Sequence, residues 1–290
     1  MKSFTYIEPE TVPEALELLA QHGDEAKLIA GGTALVNFMK QGFIAPQIVV
    51  GLRRFKHMRE ISASTGLKVG ALMTLNAIQH SPLVMDHAPL LAETCSHVAT
   101  VRVRNMATIG GALAYADPAL DTPPALIALD ARIKLLSRDG ERVVPAENFF
   151  KGIFETVTEP HELISEVEIP PQPPGSGSAF LKFLPATHDD YATVCVAVQL
   201  SIMDRRISDV RIGLGAVGAT PVRYASADAS LRGITPSARA FDDVARTIAG
   251  SLEPLENLRG SSDYKRAMAA LFVRRALQLA AKRAIGETGP

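Results

Sequence analysis

The pattern of apolar and polar positions in residues 1–55 predicts a small α/β unit. Residues 11–20 carry apolar side chains at helical spacing, and Thr11 stands where a helix N-cap belongs. Two short apolar runs, at residues 28–30 and 47–50, have the length and composition of buried strands. Helix and strand patterns therefore alternate, as they do in α/β structure.

The next segment, residues 56–175, predicts a second α/β unit. Side chains alternate in three stretches that we interpret as strands, at residues 67–71, 131–137 and 162–169. A short helix is expected from Thr74, and residues 85–98 have a helical pattern with Pro89 near its start. This unit therefore mixes helices with strands.

Residues 170–178 contain only prolines, glycines, serines and one glutamine, and they interrupt any regular element. We therefore predict a domain at residues 1–175, with subdomains at about 1–55 and 56–175, and a second domain at residues 176–290. The second domain begins with long alternating stretches, at residues 179–184, 191–203 and 207–215, which suit an antiparallel sheet. A long helical pattern follows at residues 263–282, with Ser262 as its expected cap. The predicted fold class is α+β.

Composition and charge reduce the number of functional classes to which the chain can belong. The 290 residues carry a net charge of -1, which argues against a nucleic-acid partner. No run of 18 apolar residues and no apolar signal core occur, so we expect no membrane span and a cytoplasmic protein. Two cysteines and seven scattered histidines predict neither a disulfide framework nor a metal site. Redox chemistry in this chain would need an organic cofactor.

Three glycine clusters compete as binding motifs. Residues 213–218 match G-x-G-x-x-G after a predicted strand, but no helix pattern or acidic residue follows at the spacing that dinucleotide binding needs. We favour a turn there. The other two clusters share a pattern of paired glycines between apolar residues, at residues 30–34 and 108–112. Such loops can present consecutive N–H groups to phosphate, or they can be tight turns.

Polar residues near the second cluster have two interpretations each. Asp117 and Asp121 either accept hydrogen bonds from ligand hydroxyls, or form a turn before Pro118 and a helix N-cap, respectively. Arg102 and Arg104 lie in an alternating stretch and suit the solvated face of a strand.

The two paired-glycine clusters and the residues around them resemble one family: the FAD-binding medium subunits of molybdenum hydroxylases, the group of carbon monoxide dehydrogenase and xanthine dehydrogenase. The matching motifs cover essentially the whole chain, at residues 30–34, 102–111, 116–124, 180–183, 190–191, 262–266 and 273–277. The resemblance implies a PCMH-type FAD-binding domain of two α/β subdomains, followed by a C-terminal domain with an antiparallel sheet and helices.

The resemblance also implies a non-covalent FAD site, with both glycine pairs at the diphosphate. Carried over residue by residue, the site comprises Ala30, Gly31, Gly32, Thr33, Ala34, Val98, Thr108, Ile109, Gly110, Gly111, Ala112, Asp121, Ile164, Lys182 and Tyr191. The resemblance implies that Lys182 lies near the flavin, whereas the residue pattern alone also allows a surface lysine on a strand. Tyr191 is expected beside the isoalloxazine ring. The chain departs from the family at Ala34 and Ala112, where polar residues are common. No catalytic base is expected in this chain.

The family arrangement implies partners: a large molybdopterin subunit and a small [2Fe-2S] subunit, in a dimer of heterotrimers. Electrons from the clusters would pass through FAD to an external acceptor. Three other functions stay open on the sequence: a stand-alone flavin oxidase, a nicotinamide-dependent dehydrogenase that uses residues 213–218, and a non-enzymatic binding module.

Overall fold

The computed structural model describes residues 1–185, 187 and 190–287, so the last three residues of the predicted second domain lie outside it. Its first unit is a three-stranded parallel sheet in the order β1-β3-β2. The elements are β1 (Thr5–Ile7), α1 (Val12–His22), β2 (Ala26–Ile29), α2 (Leu35–Gln41) and β3 (Ile48–Gly51). Thr11 caps α1, because its side chain accepts a hydrogen bond from the Glu14 amide at 3.3 Å.

The second unit is a five-stranded antiparallel sheet in the order β4-β5-β10-β6-β7. Its strands are β4 (Ile61–Ala63), β5 (Leu67–Gly70), β6 (Arg132–Ser137), β7 (Gly140–Pro145) and β10 (Leu163–Ile169). A small hairpin pairs β8 (Phe150–Gly152) with β9 (Glu155–Thr156). The helices are α3 (Leu75–Gln79), α4 (Pro82–His87), α5 (Pro89–Ser96), α6 (Val101–Arg104), α7 (Ile109–Tyr115) and α8 (Thr122–Ala128). Short 3-10 helices occupy Gly23–Glu25, Lys56–Arg59 and Ala146–Asn148.

The C-terminal unit is a four-stranded antiparallel sheet in the order β11-β12-β13-β14, with its own three helices on one face. Its elements are β11 (Ser176–Phe183), β12 (Val194–Met203), β13 (Arg206–Gly215), β14 (Val222–Arg223), α9 (Ala225–Leu231), α10 (Ala238–Ser251) and α11 (Ser262–Ala284). The mixture of helices and sheets agrees with the predicted α+β class.

Two hydrophobic cores meet at β12, which explains the unbroken apolar run in that strand. Val194, Val196 and Val198 face the core of the C-terminal unit. The intervening Cys195 and Ala197 belong to the core of the N-terminal units. Because successive side chains of a strand point to opposite faces, one strand seals both cores.

The structure corrects two of the predicted elements. The alternating stretch at residues 100–105 contains the short helix α6 rather than a strand, because Thr100 Oγ1 accepts the Val103 amide and caps the first turn. The predicted helix at residues 85–98 is two helices, α4 and α5, which meet at Ala88. A proline disfavours helical dihedrals at the residue before it, and Ala88, which precedes Pro89, has φ −146° and ψ 61°.

Two smaller differences follow from local hydrogen bonds. Helix α11 is capped by Ser261, one residue before the expected Ser262. The arginines of α6 are not equivalent, because Arg102 is exposed whereas Arg104 donates to two backbone carbonyls. The interpretation of a common solvated face is therefore wrong for Arg104.

Candidate functional site

The first glycine loop, residues 30–34, connects β2 to α2 and keeps its backbone donors free. In the described part of the chain, no backbone acceptor receives a hydrogen bond from the amides of Gly31, Gly32, Thr33 and Ala34. Gly32 has a φ of +71°, in the left-handed region that glycine tolerates. Consecutive N–H groups around such a residue form a concave nest for anions. The loop can therefore hold a phosphate without using a charged side chain.

The second glycine loop, residues 108–112, forms the first turn of α7, and the amides of residues 109–112 already have hydrogen-bond acceptors. The amide of Ile109 donates to Met73 O at 3.0 Å, and that of Gly110 donates to Ala71 O at 2.9 Å. Thr108 Oγ1 accepts the Gly111 amide at 3.1 Å as the helix N-cap. A ligand at this loop would meet closely approaching backbone and the Thr108 hydroxyl rather than a row of free amides like that of the first loop.

The two loops lie against each other. An ideal Cβ at Gly31 would overlap the carbonyl group of Met106, two residues before the second loop. Only glycine permits this approach, because any side chain would push the loops apart. The helices that follow the loops also meet, since the rings of Phe38 in α2 and Tyr115 in α7 are 5.4 Å apart. The structure thus brings together two motifs that are far apart in sequence.

A buried ion pair joins the start of α8 to β11 of the C-terminal unit. Lys182 Nζ lies 2.7 Å from Asp121 Oδ2, and the two side chains are 2% and 5% exposed. Lys182 also donates to His97 O at 3.1 Å. The surface interpretation of Lys182 is therefore wrong, and Asp121 does not cap α8, because its side chain makes no capping hydrogen bond.

Asp121 retains one unsatisfied acceptor. Its Oδ1 atom is buried and has no hydrogen-bond partner among the described residues. Burial raises the pKa of Asp121 to about 6, and the Lys182 ammonium limits that rise. A buried carboxylate oxygen without a donor is costly, so this atom suits a ligand hydroxyl or N–H group.

Tyr191 belongs to an aromatic cluster at the far end of α7. Its hydroxyl donates to the Tyr115 hydroxyl at 3.4 Å, and the Arg259 guanidinium lies 5.4 Å from the centre of its ring. Arg259 also donates to Asp190 at 2.9 Å. Burial raises the pKa of Tyr191, so the hydroxyl stays protonated near neutral pH. Helix α7 therefore connects the second glycine loop to Tyr191.

The remaining predicted contacts, Val98 and Ile164, are apolar. Val98 packs against the N-terminal core just after α5. Ile164 is 8% exposed beside a bulge in β10. Its neighbour Ser165 accepts the Ala71 amide at 2.9 Å, and Ala71 in turn accepts the Gly110 amide. Ile164 is thus linked to the second loop through two backbone hydrogen bonds.

Sequence reasoning did not select the aromatic residues around Tyr115. The rings of Phe38 and Phe154 both lie 5.3–5.4 Å from that of Tyr115, and Phe43 lies 5.7 Å from Phe38. Phe154 is held at the tip of the β8–β9 hairpin, where its amide donates to Ala116 O. The one available signal was the position of Tyr115 between the matching motifs at residues 102–111 and 116–124.

Two alternative sites lose support. Residues 213–215 end β13 with no helix at Gly218, since α9 starts at Ala225. An ideal Cβ at Gly213 would overlap Pro124 O, so this glycine allows close packing against α8 rather than leaving room for a ligand. Asp117 Oδ1 accepts the Ala119 amide at 2.9 Å, which is the predicted turn. The nicotinamide interpretation of residues 213–218 therefore lacks its required helix.

The chemistry of the groups at this site suits a ligand that carries an anion, a hydroxyl donor and an aromatic ring. The free amides of the first loop suit a diphosphate, the buried Asp121 oxygen suits a hydroxyl donor, and Tyr191 offers an aromatic surface. These groups are what a dinucleotide with a flavin ring requires.

Comparison with known proteins decides the family. The model described as "FAD binding domain in molybdopterin dehydrogenase" matches residues 2–172, and that described as "CO dehydrogenase flavoprotein C-terminal domain" matches residues 179–280. This chain belongs to the family of FAD-binding medium subunits of molybdenum hydroxylases. It therefore carries an FAD-binding domain, and its family consists of oxidoreductase subunits.

The relatives align with this chain over nearly its full length. The carbon monoxide dehydrogenase medium chain of Hydrogenophaga pseudoflava is 37% identical and aligns with 96% of both chains. The 6-hydroxypseudooxynicotine dehydrogenase complex subunit alpha of Paenarthrobacter nicotinovorans is 34% identical over 97% of this chain and 96% of its own length. A solved carbon monoxide dehydrogenase structure from H. pseudoflava superposes with a TM-score of 0.95, covering 97% of this chain and 98% of the other.

Two features are absent from the part of the chain that the structure describes. No helix there is long and apolar enough to cross a membrane. No group of three or more His, Cys, Asp and Glu side chains within the same residues is arranged to hold a metal ion. Cys95 and Cys195 are both buried and free.

Proposed function

We propose that this medium subunit holds FAD non-covalently across its two glycine loops and serves as the electron-transfer subunit of a multi-subunit molybdenum hydroxylase. Electrons would arrive from [2Fe-2S] clusters of a small partner subunit and leave to an external acceptor. The observation that carries the proposal is the row of free amides in the first loop, held against the second loop by the contact of Gly31 with Met106.

The residues of this chain would bind and orient the cofactor. The amides of residues 31–34 would hold the diphosphate, because N–H groups that face a charged oxygen form short, strong hydrogen bonds. Asp121 Oδ1 would accept from a hydroxyl or N–H of the cofactor. Val98 and Ile164 would contribute apolar contacts, whereas Ile109, which is fully buried, would support the second loop from the core. FAD would supply the redox chemistry, which amino-acid side chains cannot provide.

Lys182 has a narrower role in this proposal than a direct contact with the flavin. Its ammonium is 2% exposed and already has Asp121 and His97 O as partners. It would therefore keep Asp121 in place and fasten the C-terminal unit to the site. Tyr191, which is 39% exposed, is better placed to meet the flavin ring.

The partners would be a large molybdopterin subunit and a small [2Fe-2S] subunit, assembled as a dimer of heterotrimers in the cytoplasm. The chain has only two cysteines, both buried, and Fe–S clusters are held by several cysteine thiolates. Clusters would therefore have to reside in another chain.

The experiment is purification of the chain, alone and co-expressed with the genes beside its own. We expect a yellow protein that releases FAD on denaturation and co-purifies with a molybdenum subunit and an iron–sulfur subunit. A colourless chain that cannot be reconstituted with FAD would overturn the proposal. A yellow chain without partners that oxidises a substrate alone would favour the stand-alone flavin oxidase.

A further inference from the structure

Two cations hold the backbone bend at residues 97–99, which follows α5. Lys182 Nζ donates to His97 O at 3.1 Å. Arg104 Nη1 donates to both Val98 O and Ala99 O, at 2.8 Å each. Ala99 has a φ of +40°, which costs free energy for a residue with a side chain. The surrounding contacts must therefore stabilise the bend.

Arg104 directly precedes the segment that packs against the first glycine loop and leads into the second. It ends α6, and the amides of Met106 and Ala107 both donate to Val103 O, at 3.0 and 2.7 Å. The Met106 carbonyl then packs against Gly31 of the first loop. Ala107 O accepts the Leu75 amide at 2.9 Å, and the second loop begins at the next residue. The position of α6 therefore determines how the two loops meet.

We propose that Arg104 is a positioning residue of the cofactor site. By holding the carbonyls of the 97–99 bend, it fixes α6 and the Met106 carbonyl, and so sets the spacing between the first and second glycine loops. This inference rests on the proposed FAD site. It assigns a role to a residue whose polar contacts involve neither loop.

An arginine suits this role better than other cations. The planar guanidinium is always charged and is already ordered, so one nitrogen can serve two neighbouring carbonyls. The bend lies at the C-terminal end of α5, where the helix dipole favours a positive charge. Lysine would keep the charge but lose the fixed geometry.

Two arginines in one short helix provide a matched comparison. Arg102 and Arg104 are both in α6, but Arg102 is exposed. We would measure the FAD dissociation constant of the full-length wild type, Arg102→Ala, Arg104→Ala and Arg104→Lys by fluorescence titration of the apoprotein.

We expect Arg104→Ala to weaken FAD binding by about tenfold to a hundredfold, because hydrogen bonds from a charged donor are lost. Arg102→Ala should stay within about twofold of the wild type, and Arg104→Lys should fall between. If Arg104→Ala binds FAD as tightly as Arg102→Ala, the inference is wrong.

A second variant separates positioning from direct contact with FAD. Glycine adopts positive φ freely, so Ala99→Gly should let the bend form without Arg104. We expect Arg104→Ala/Ala99→Gly to regain most of the lost affinity and to melt at a higher temperature than Arg104→Ala. No recovery in a folded double variant would overturn the positioning role. If Arg104→Ala does not fold, Arg104→Lys and its Ala99→Gly double variant decide in the same way.

The wild type keeps this test apart from the proposed function. If wild-type protein does not bind FAD, the proposed function fails before any variant is compared. If it binds and Arg104→Ala binds equally well, only the role of Arg104 fails.

Discussion

The two glycine loops have similar sequences and opposite hydrogen-bonding states. The first loop leaves the amides of residues 31–34 free, whereas the second directs those of residues 109–111 to Met73, Ala71 and Thr108. The first loop can thus act as a donor surface, and the second positions the backbone against it. A shared Gly-Gly pattern does not imply a shared role, because the role depends on which acceptors the fold brings near each amide.

The largest expected effect comes from the contact between the loops. Gly31→Ala places a methyl group inside the Met106 carbonyl, so we expect a loss of at least about 3 kcal/mol of unfolding free energy and no FAD retention. Urea unfolding and the FAD content of the purified protein measure both. Gly250→Ala is the control, because nothing lies within 4 Å of its Cβ, and it should not destabilise the protein. Wild-type FAD content in Gly31→Ala would mean that the loops need not touch.

Asp121 tests whether an acceptor complements the donors of the first loop. Its pKa of about 6 exceeds the unfolded value of about 3.9, so the folded apoprotein keeps a proton that the unfolded chain has lost in this interval. The unfolding free energy should therefore fall by up to about 1.4 kcal/mol per unit as pH rises from about 4 to about 6. Asp121→Asn should lack this slope in urea unfolding.

FAD should reduce the Asp121 slope, because a donor to Oδ1 lowers the pKa of the carboxyl group. Asp228 is the control, since burial raises its pKa to about 6 beside Arg223 in the C-terminal unit. Its contribution, obtained from Asp228→Asn, should not change with FAD. An Asp121 slope that FAD leaves unchanged would place the ligand elsewhere.

Gly111 tests whether an anion lies near the second loop. Around an ideal Cβ at this glycine, the nearest atom is Thr108 Oγ1 at 2.9 Å, so a side chain needs only a small shift. An acidic residue in the first turn of a helix is favourable for folding. We therefore expect Gly111→Asp to fold but to bind FAD about tenfold to a hundredfold more weakly, by repulsion of the diphosphate.

The uncharged variant Gly111→Asn provides the comparison for that charge. It should bind FAD more tightly than Gly111→Asp in the same fluorescence titration. Equal affinities would attribute the effect to bulk and would remove the evidence for an anion at the second loop.

The smallest effects should differ in kind between the two threonines. Thr108→Val removes a helix cap and should cost about 1 kcal/mol of unfolding free energy. Thr33→Val should leave stability unchanged and weaken FAD binding about fivefold, if its hydroxyl donates to the ligand. Thermal melts and FAD titrations of both variants test this difference. A loss of stability in Thr33→Val together with a loss of FAD affinity in Thr108→Val would mean that the two threonines have the opposite roles.

Much of the fold could be predicted because its signals are local. The cap at Thr11 and the alternation in β13 each act within a few residues. The segment at residues 170–178 is predicted to exclude regular structure, but β11 begins within it at Ser176, because pairing with β12 supplies its hydrogen bonds. The sequence predicts a strand in place of helix α6, because four residues are too few to show the helical period of apolar positions. Its helical state depends on the Thr100 cap and on the inward contacts of Arg104.

The candidate site rests on both kinds of information. The sequence and its family resemblance predict both glycine loops, Asp121, Lys182 and Tyr191 as site residues. They did not identify Tyr115, Arg104 or Arg259, whose contacts reach across the bend or between units. Such contacts have no periodic signal, because they join residues that are distant in the chain or lie in irregular segments.

The sequence by itself therefore determined the α+β class, the residues able to form glycine loops and the family, since these depend on residue type and local order. Only the tertiary structure decided which loop keeps its donors free, that Lys182 is buried against Asp121, and that Gly31 rests on Met106. The reason is physical: whether an amide or a carboxylate has a hydrogen-bond partner depends on its neighbours in space, and those neighbours come from distant parts of the chain.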